Sequence, residues 1–237
     1  MKDIQVFLLS YSNSRALQQA ITSLQFIIQR VKGITVIDIP DLLLEVFDSF
    51  TTQPEAEYVK LNNNNLGKTL NDYIKELSCE YVLFLHDQDY LNQNITGIQL
   101  KLNNEKNVMT YQHTIKNKTI QRPFLVRTCF LKQNMFFQDD EVPFKEAIMP
   151  SWLFQVDPSY VVPESRGVIG QLSKDFTTSN FEKIKFIEKY QTNLFNPIIK
   201  PSIAVMVSNY NMADYVGTAI NSCFLQSSPP EQVLAVD

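Results

Sequence analysis

The sequence predicts an α/β protein: a Rossmann-like, mostly parallel sheet with helices on both faces. Three observations lead there. Short unbroken apolar runs such as VFLL and YVLFL alternate with amphipathic segments, as strands buried on both faces do. The early runs end in polar residues, at the carboxyl edge where such sheets collect ligands. A chain of 237 residues, 44% hydrophobic and 19% charged, is long enough for one domain of about 200 residues with something left over.

The elements follow in order. Ile4 to Tyr11 reads as a first strand, and Ser12, Asn13 and Ser14 supply capping side chains for a helix with Leu17, Ala20, Ile21, Leu24 and Ile28 on one face. Ile34 to Ile39 reads as the second strand, Tyr58 to Leu61 as the third, and Gly67 to Leu77 as a helix that turns Leu70, Tyr73, Ile74 and Leu77 inward. Tyr81 to Leu85 is the next strand. Beyond about residue 105 the pattern becomes polar strands (NVMTYQHTIKNKTI), a helix near Pro143 to Phe154, a strand near Tyr160 to Val162 and a charged helix near Asn180 to Tyr190. This half is expected to shape an acceptor site. TNLFNPIIKP, with two prolines and no helical period, is the linker candidate.

A net charge of -4 gives no broad attraction to nucleic acid or anionic membrane. Cys79, Cys129 and Cys223 lack metal-ligand spacing and read as buried reduced thiols, which favours the cytoplasm. The apolar run in MKDIQVFLLSY is too short for a secretory or membrane-spanning segment, so any membrane contact is expected to be peripheral.

An internal repeat organises the chain. IQVFLLSYSNSRALQQAITSLQFIIQRVKGITVID aligns without a gap with IAVMVSNYNMADYVGTAINSCFLQSSPPEQVLAVD at an offset of 199 residues. Ile4, Val6, Tyr11, Ala20, Ile21, Ser23 and Asp38 recur as Ile203, Val205, Tyr210, Ala219, Ile220, Ser222 and Asp237. The expected organisation is a domain over 1–195, a linker over 196–201 and the start of a second, truncated copy over 202–237, as in a fragment of a longer tandem protein.

Four places could carry chemistry. Ser10 and Tyr11 end the first strand and could hold a base or ribose, or be an ordinary strand end. Asp38 ends the second; it could accept hydrogen bonds from a nucleotide, or cap a turn. NNNNLGKTLN nearly spells a phosphate-binding P-loop with Gly67, Lys68 and Thr69 in place, but Asn62 stands where the first glycine is needed. The simpler reading is an asparagine-rich turn with Gly67 opening a helix. In HDQD, alternation along an extended segment would bring Asp87 and Asp89 together, as a hard divalent cation carrying a diphosphate requires. Aspartates after a strand can equally be loop or cap residues.

In this order, the strand ending SY, the strand ending ID, the loop before GKTLN, the strand ending LHDQD and the later FKEA resemble a family 2 glycosyltransferase of the GT-A fold, over about residues 3 to 195. NNLGKTLNDYIKELSCEYVLFLHDQDYL and the repeat VMVSNYNMADYVGTAINSC are similar to family runs. The resemblance implies transfer of a sugar from a nucleotide-sugar donor to a glycan, lipid-linked or protein acceptor, with inversion and with Mg2+ or Mn2+. It implies that Ser10, Tyr11 and Asp38 contact the nucleoside and that Gly67, Lys68 and Asn71 lie beside it. His86 and Asp87 would touch the nucleotide-sugar, Asp87 and Asp89 would hold the metal, and Glu146 would be the catalytic base. His86 and Gln88 stand at the first and third acidic positions of the common run FLDxDDYL, and Ala147 replaces the aspartate of the usual Glu-Asp pair. A domain that keeps the fold and serves binding or assembly is the alternative, with a P-loop protein behind it.

Overall fold

The computed structural model describes residues 2–43, 56–61, 65–115, 118–134, 137, 142–172, 178–191, 204–208, 213–224, 230 and 232–236. The chain divides into two compact units, Met1–Phe195 and Asn196–Asp237. The first contains strands β1 (Ile4–Leu9), β2 (Val31–Ile37), β3 (Ala56–Val59), β4 (Tyr81–His86), β5 (Asp89–Leu91), β6 (Val108–Ile115), β7 (Lys118–Arg127), β8 (Val161–Pro163) and β9 (Ile169–Gln171). Its helices are α1 (Ser14–Ser23), α2 (Leu66–Glu76), α3 (Thr128–Gln133), α4 (Ile148–Gln155) and α5 (Thr178–Gln191).

Seven strands form one sheet in the order β3-β2-β1-β4-β7-β6-β8. Only β7 runs against the rest, pairing antiparallel with both β4 and β6; the other neighbours are parallel. Strand alternation explains the unbroken apolar runs. Ile4, Val6, Leu8, Leu83 and Leu85 face a core that includes Leu17, Ala20 and Ile21 of α1. Phe7, Leu9, Val82 and Phe84 face the opposite core, with Leu66, Leu70 and Ile74 of α2 and Trp152 and Leu153 of α4. Phe7 and Phe84, paired across β1 and β4, stack at 5.7 Å. With both faces covered, neither set of alternate residues needs to be polar.

Local signals set the helices. Asn13 caps α1, its Oδ1 accepting from the Ala16 amide at 2.8 Å. The pattern that predicts one helix through Ile28 ends at Ser23 and tightens into a 3-10 turn over Leu24–Ile27, a common way for a helix to finish. β1 stops at Leu9 and β2 at Ile37, short of the expected ends, because Ser10 and Asp38 turn the backbone left-handed. None of the three cysteines is fully buried, and Cys129 is exposed, contrary to the buried thiols expected; all are free. The proposed linker lies outside the described residues.

The second unit holds β10 (Ala204–Ser208), α6 (Ala213–Phe224) and β11 (Gln232–Val236), with the strands parallel. Its register reproduces that of the first unit. Val6 pairs with Ile34 and Leu9 with Ile37, as Val205 pairs with Val233 and Ser208 with Val236, at the sequence offset of 199. Ser23 Oγ donates to the Ala20 carbonyl and Ser222 Oγ to the Ala219 carbonyl, both at 2.7 Å. Among the described residues no helix is long and apolar enough to cross a membrane.

Candidate functional site

The carboxyl ends of β2, β1 and β4 lie side by side, and each is followed by a left-handed residue. Ser10 (φ 57), Asp38 (φ 62) and Asp87 (φ 49) are the non-glycine residues with positive φ among those described. This backbone region costs a residue with a side chain roughly 1–2 kcal/mol, although aspartate tolerates it better than most. Short bonds hold the three turns together. The Ser10 amide donates to the Ile37 carbonyl at 3.0 Å and the Asp87 amide to the Leu9 carbonyl at 2.8 Å. Ser10 Oγ donates to Asp38 Oδ2 at 2.7 Å, and Ser12 Oγ to Asp87 Oδ1 at 3.0 Å.

The segment leading into α4 reaches this edge through an ion pair. Lys145 Nζ lies 2.7 Å from Asp38 Oδ2. Glu146, the next residue, sits in a 3-10 turn, Lys145–Ala147, leading into α4. Its Oε1 accepts from Lys183 Nζ of α5 at 2.9 Å, while Oε2 is buried without a hydrogen-bond partner. Buried Ile184 and Ile187 of α5 pack with Ala147 and so hold that helix against the turn. One carboxylate oxygen is thus oriented by Lys183, and the other is enclosed with its hydrogen-bonding capacity unused.

Tyr11 is placed differently from expectation. It is 0% exposed, and its hydroxyl donates to the Asp89 carbonyl at 2.6 Å, so the ring belongs to the core and not to the edge. Lys68 pairs with Asp72 one turn along α2 at 2.7 Å. Gly67 is buried in the first turn of that helix. Asn71 Nδ2 donates to the Phe137 carbonyl at 3.0 Å, and its Oδ1 is buried without a partner. All three ride on α2, which covers one face of the sheet. The P-loop reading also fails on topology: β3, which feeds that loop, is the edge strand, three strand spacings or about 14 Å from β4. Asn62 itself lies outside the described residues. Trp152 is core, donating to the Asn134 carbonyl at 2.8 Å and stacking on Phe137.

Asp87 and Asp89 do not converge. The expectation assumed an extended segment, but the left-handed turn at Asp87 breaks the alternation and sends Asp89 inward, where it starts β5. Asp89 is 0% exposed. Its Oδ2 accepts from the Tyr111 hydroxyl and from Arg122 Nη1 at 3.3 Å, and its Oδ1 from Gln171 Nε2 at 2.9 Å. The Gln171 amide also contacts His113 Nδ1. Burial by itself would raise the Asp89 carboxyl; its contacts with His113, Arg122 and Tyr111 hold it well below the usual carboxylate range. Burial, then the nearby Asp89 charge, keeps the Tyr11 and Tyr111 hydroxyls protonated. His86 is pushed down to about 3, chiefly by burial and then by Arg122, and is neutral at physiological pH; its Nε2 is buried without a partner.

The implied Mg2+ or Mn2+ does not fit this arrangement. No group of three or more His, Cys, Asp or Glu is disposed to hold a metal among the described residues. The Asp89 oxygens are spent on buried donors, one of them already a cation. We derive no step through a metal. Tyr111, His113, Arg122 and Gln171 escape a motif search because they come from β6, β7 and β9. The available signal is that Tyr111 and His113 share one side of β6, with Arg122 opposite Tyr111 in the β7 register.

No protein-family model and no curated protein matches the chain. Among solved structures it is similar to S. aureus TarS, with a TM-score of 0.49 and 15% identity over 81% of this chain and 40% of that one. It is also similar to S. aureus TarS 1-349, with a TM-score of 0.46 and 16% identity over 93% and 79% of the two chains. For TarS 1-349 in complex with UDP, the TM-score is 0.46 at 15% identity over 81% and 65%. The chain therefore spans well under half of the longer TarS chain. Its seven-stranded, mostly parallel sheet with helices on both faces matches the GT-A-like arrangement expected.

Proposed function

We propose that the Met1–Phe195 unit is a nucleotide-sugar-dependent glycosyltransferase of the family 2 type, with the donor at the carboxyl edge of β1, β2 and β4. The observation that carries this reading is the line of left-handed residues Ser10, Asp38 and Asp87 on three adjacent strand ends. Backbone strain kept on non-glycine residues gathers at ligand sites, where the surroundings over-determine it. It falls on the residues that the resemblance assigns to the nucleotide.

In this reading the Ser10 hydroxyl and the Asp38 carboxylate present a donor and an acceptor to the nucleoside, and Lys145 swings from Asp38 as the ligand enters. His86 and Asp87 line the next strand end, toward the sugar diphosphate. Glu146, oriented by Lys183, takes the proton from an acceptor hydroxyl on its unpartnered Oε2, which the acceptor reaches as it enters. That hydroxyl attacks the sugar with inversion and release of the nucleoside diphosphate. Such a base contributes roughly 100- to 10,000-fold in rate. The acceptor is a saccharide, free or carried by lipid or protein, met in the cytoplasm or at a membrane face. The matching register of β10 and β11 supports reading the second unit as a repeat of the β1-α1-β2 segment.

The test is UDP release by the full chain across a panel of UDP-sugars, including UDP-GlcNAc, with mixed saccharide acceptors. We expect turnover of at least one donor, cut by at least about 100-fold in Glu146→Gln. UDP binding with no turnover on any donor would remove the transferase reading in favour of a binding or assembly role.

A further inference from the structure

We propose that Asp89 is the anchor that positions the nucleotide-facing turn, and that a nucleoside diphosphate binds this edge without a divalent cation held by the aspartate pair. The ligand in this proposal rests on the reading above; the role of Asp89 stands apart from it. The geometry for the anchor is complete. Three side chains from β6, β7 and β9 donate to the Asp89 carboxylate, and the Tyr11 hydroxyl donates to its carbonyl. Neighbouring residues are tied as firmly. The Leu172 amide donates to the Gln88 carbonyl at 3.0 Å, and the Leu91 amide to Ser23 Oγ at 2.9 Å. The turn that presents His86 and Asp87 is therefore fastened from behind to α1, β6, β7 and β9.

A cation on Asp89 would have to displace the Gln171 amide from Oδ1, or the Tyr111 hydroxyl and the buried Arg122 guanidinium from Oδ2. By either route it would stand beside the Arg122 charge in a site with no solvent exposure, where like charges repel strongly. With Asp89 turned inward, Asp87 is the one carboxylate of the pair left at this edge, and among the described residues no group of three or more His, Cys, Asp or Glu gathers there to hold a cation without the diphosphate. His86 and Gln88 flank Asp87 in sequence, so with Asp89 turned inward one carboxylate of the HDQD run remains at this edge to repel a diphosphate.

The experiment titrates Mn2+ into the full chain, with and without UDP, and follows the electron paramagnetic resonance signal of free Mn2+. We expect that signal to match a protein-free control at the same UDP concentration, and UDP affinity to be the same in EDTA. Amide exchange over 86–91 and 169–171 should accelerate in Asp89→Asn and in Arg122→Gln, with UDP binding weakened by roughly tenfold and still indifferent to Mn2+. Uptake of one Mn2+ per chain, lost in Asp89→Asn, would overturn the proposal. If that variant does not fold, Mn2+-induced broadening of the Asp89 amide resonance in the parent chain would overturn it equally. Free Mn2+ together with no UDP binding would end the nucleotide reading and leave the anchor role in place.

Discussion

Asp87 and Asp89 stand two residues apart, yet one belongs to a strained, accessible edge and the other to a sealed polar core. Asp87 sits in a left-handed turn and accepts from an exposed serine. Asp89 has no solvent exposure and binds donors from three other strands. The difference teaches that a motif read as one functional unit can split into a ligand-facing part and the part that holds it in place. The edge stores strain, and the core behind it supplies the interactions that keep the strain from relaxing.

Removing the core side of this contrast should have the largest effect. Asp89→Ala leaves Arg122 buried without its counter-charge and should lower stability by about 3–5 kcal/mol in urea unfolding. Asp87→Gly suits the left-handed backbone and should stay within about 1 kcal/mol of the parent. Equal losses for the two would erase the distinction.

Acid sharpens the comparison next. The folded-state values of His86, about 3, and of His113 lie below the ordinary histidine value, so the unfolded chain binds more protons as pH falls. Stability is fully present above about 6.5 and is lost as pH drops below it, by roughly 3 kcal/mol at pH 4 for His86 alone. The depressed Asp89 adds a further loss below about 3.9. Unfolding followed from pH 7 to pH 4 should show this slope, and His86→Gln should flatten it.

The smallest expected effect is at Lys68. Its partner is Asp72 on the surface of α2, so Lys68→Ala should leave UDP affinity unchanged. A marked loss would return α2 to the nucleotide site.

Much of the fold was legible because local pattern determines it. Apolar runs at strand length located β1, β2 and β4, and a gap-free repeat anticipated the register of β10 and β11. Identical local pattern did not give identical surroundings: Phe7 is buried, while Met206, at the same register position, is 69% exposed. Burial depends on which elements cover a face, and that is not written in a β-α-β segment. The site was legible to the same depth. Ser10, Asp38 and Asp87 do lie at strand ends, as expected, because strand ends are local. Tyr11 and Asp89 were misplaced because their partners lie up to 82 residues away, and because the turn at Asp87 ends the alternation that was extrapolated through it.

The central claim is that the left-handed edge binds the nucleotide. The most direct measurement is UDP titrated into the isotope-labelled full chain, with backbone amide shifts mapped residue by residue. The account predicts saturable shifts concentrated at Ser10, Asp38, His86 and Asp87, with UDP affinity about tenfold weaker in Asp38→Ala. Saturable shifts elsewhere, with these four residues unmoved and Asp38→Ala binding as the parent does, would contradict it.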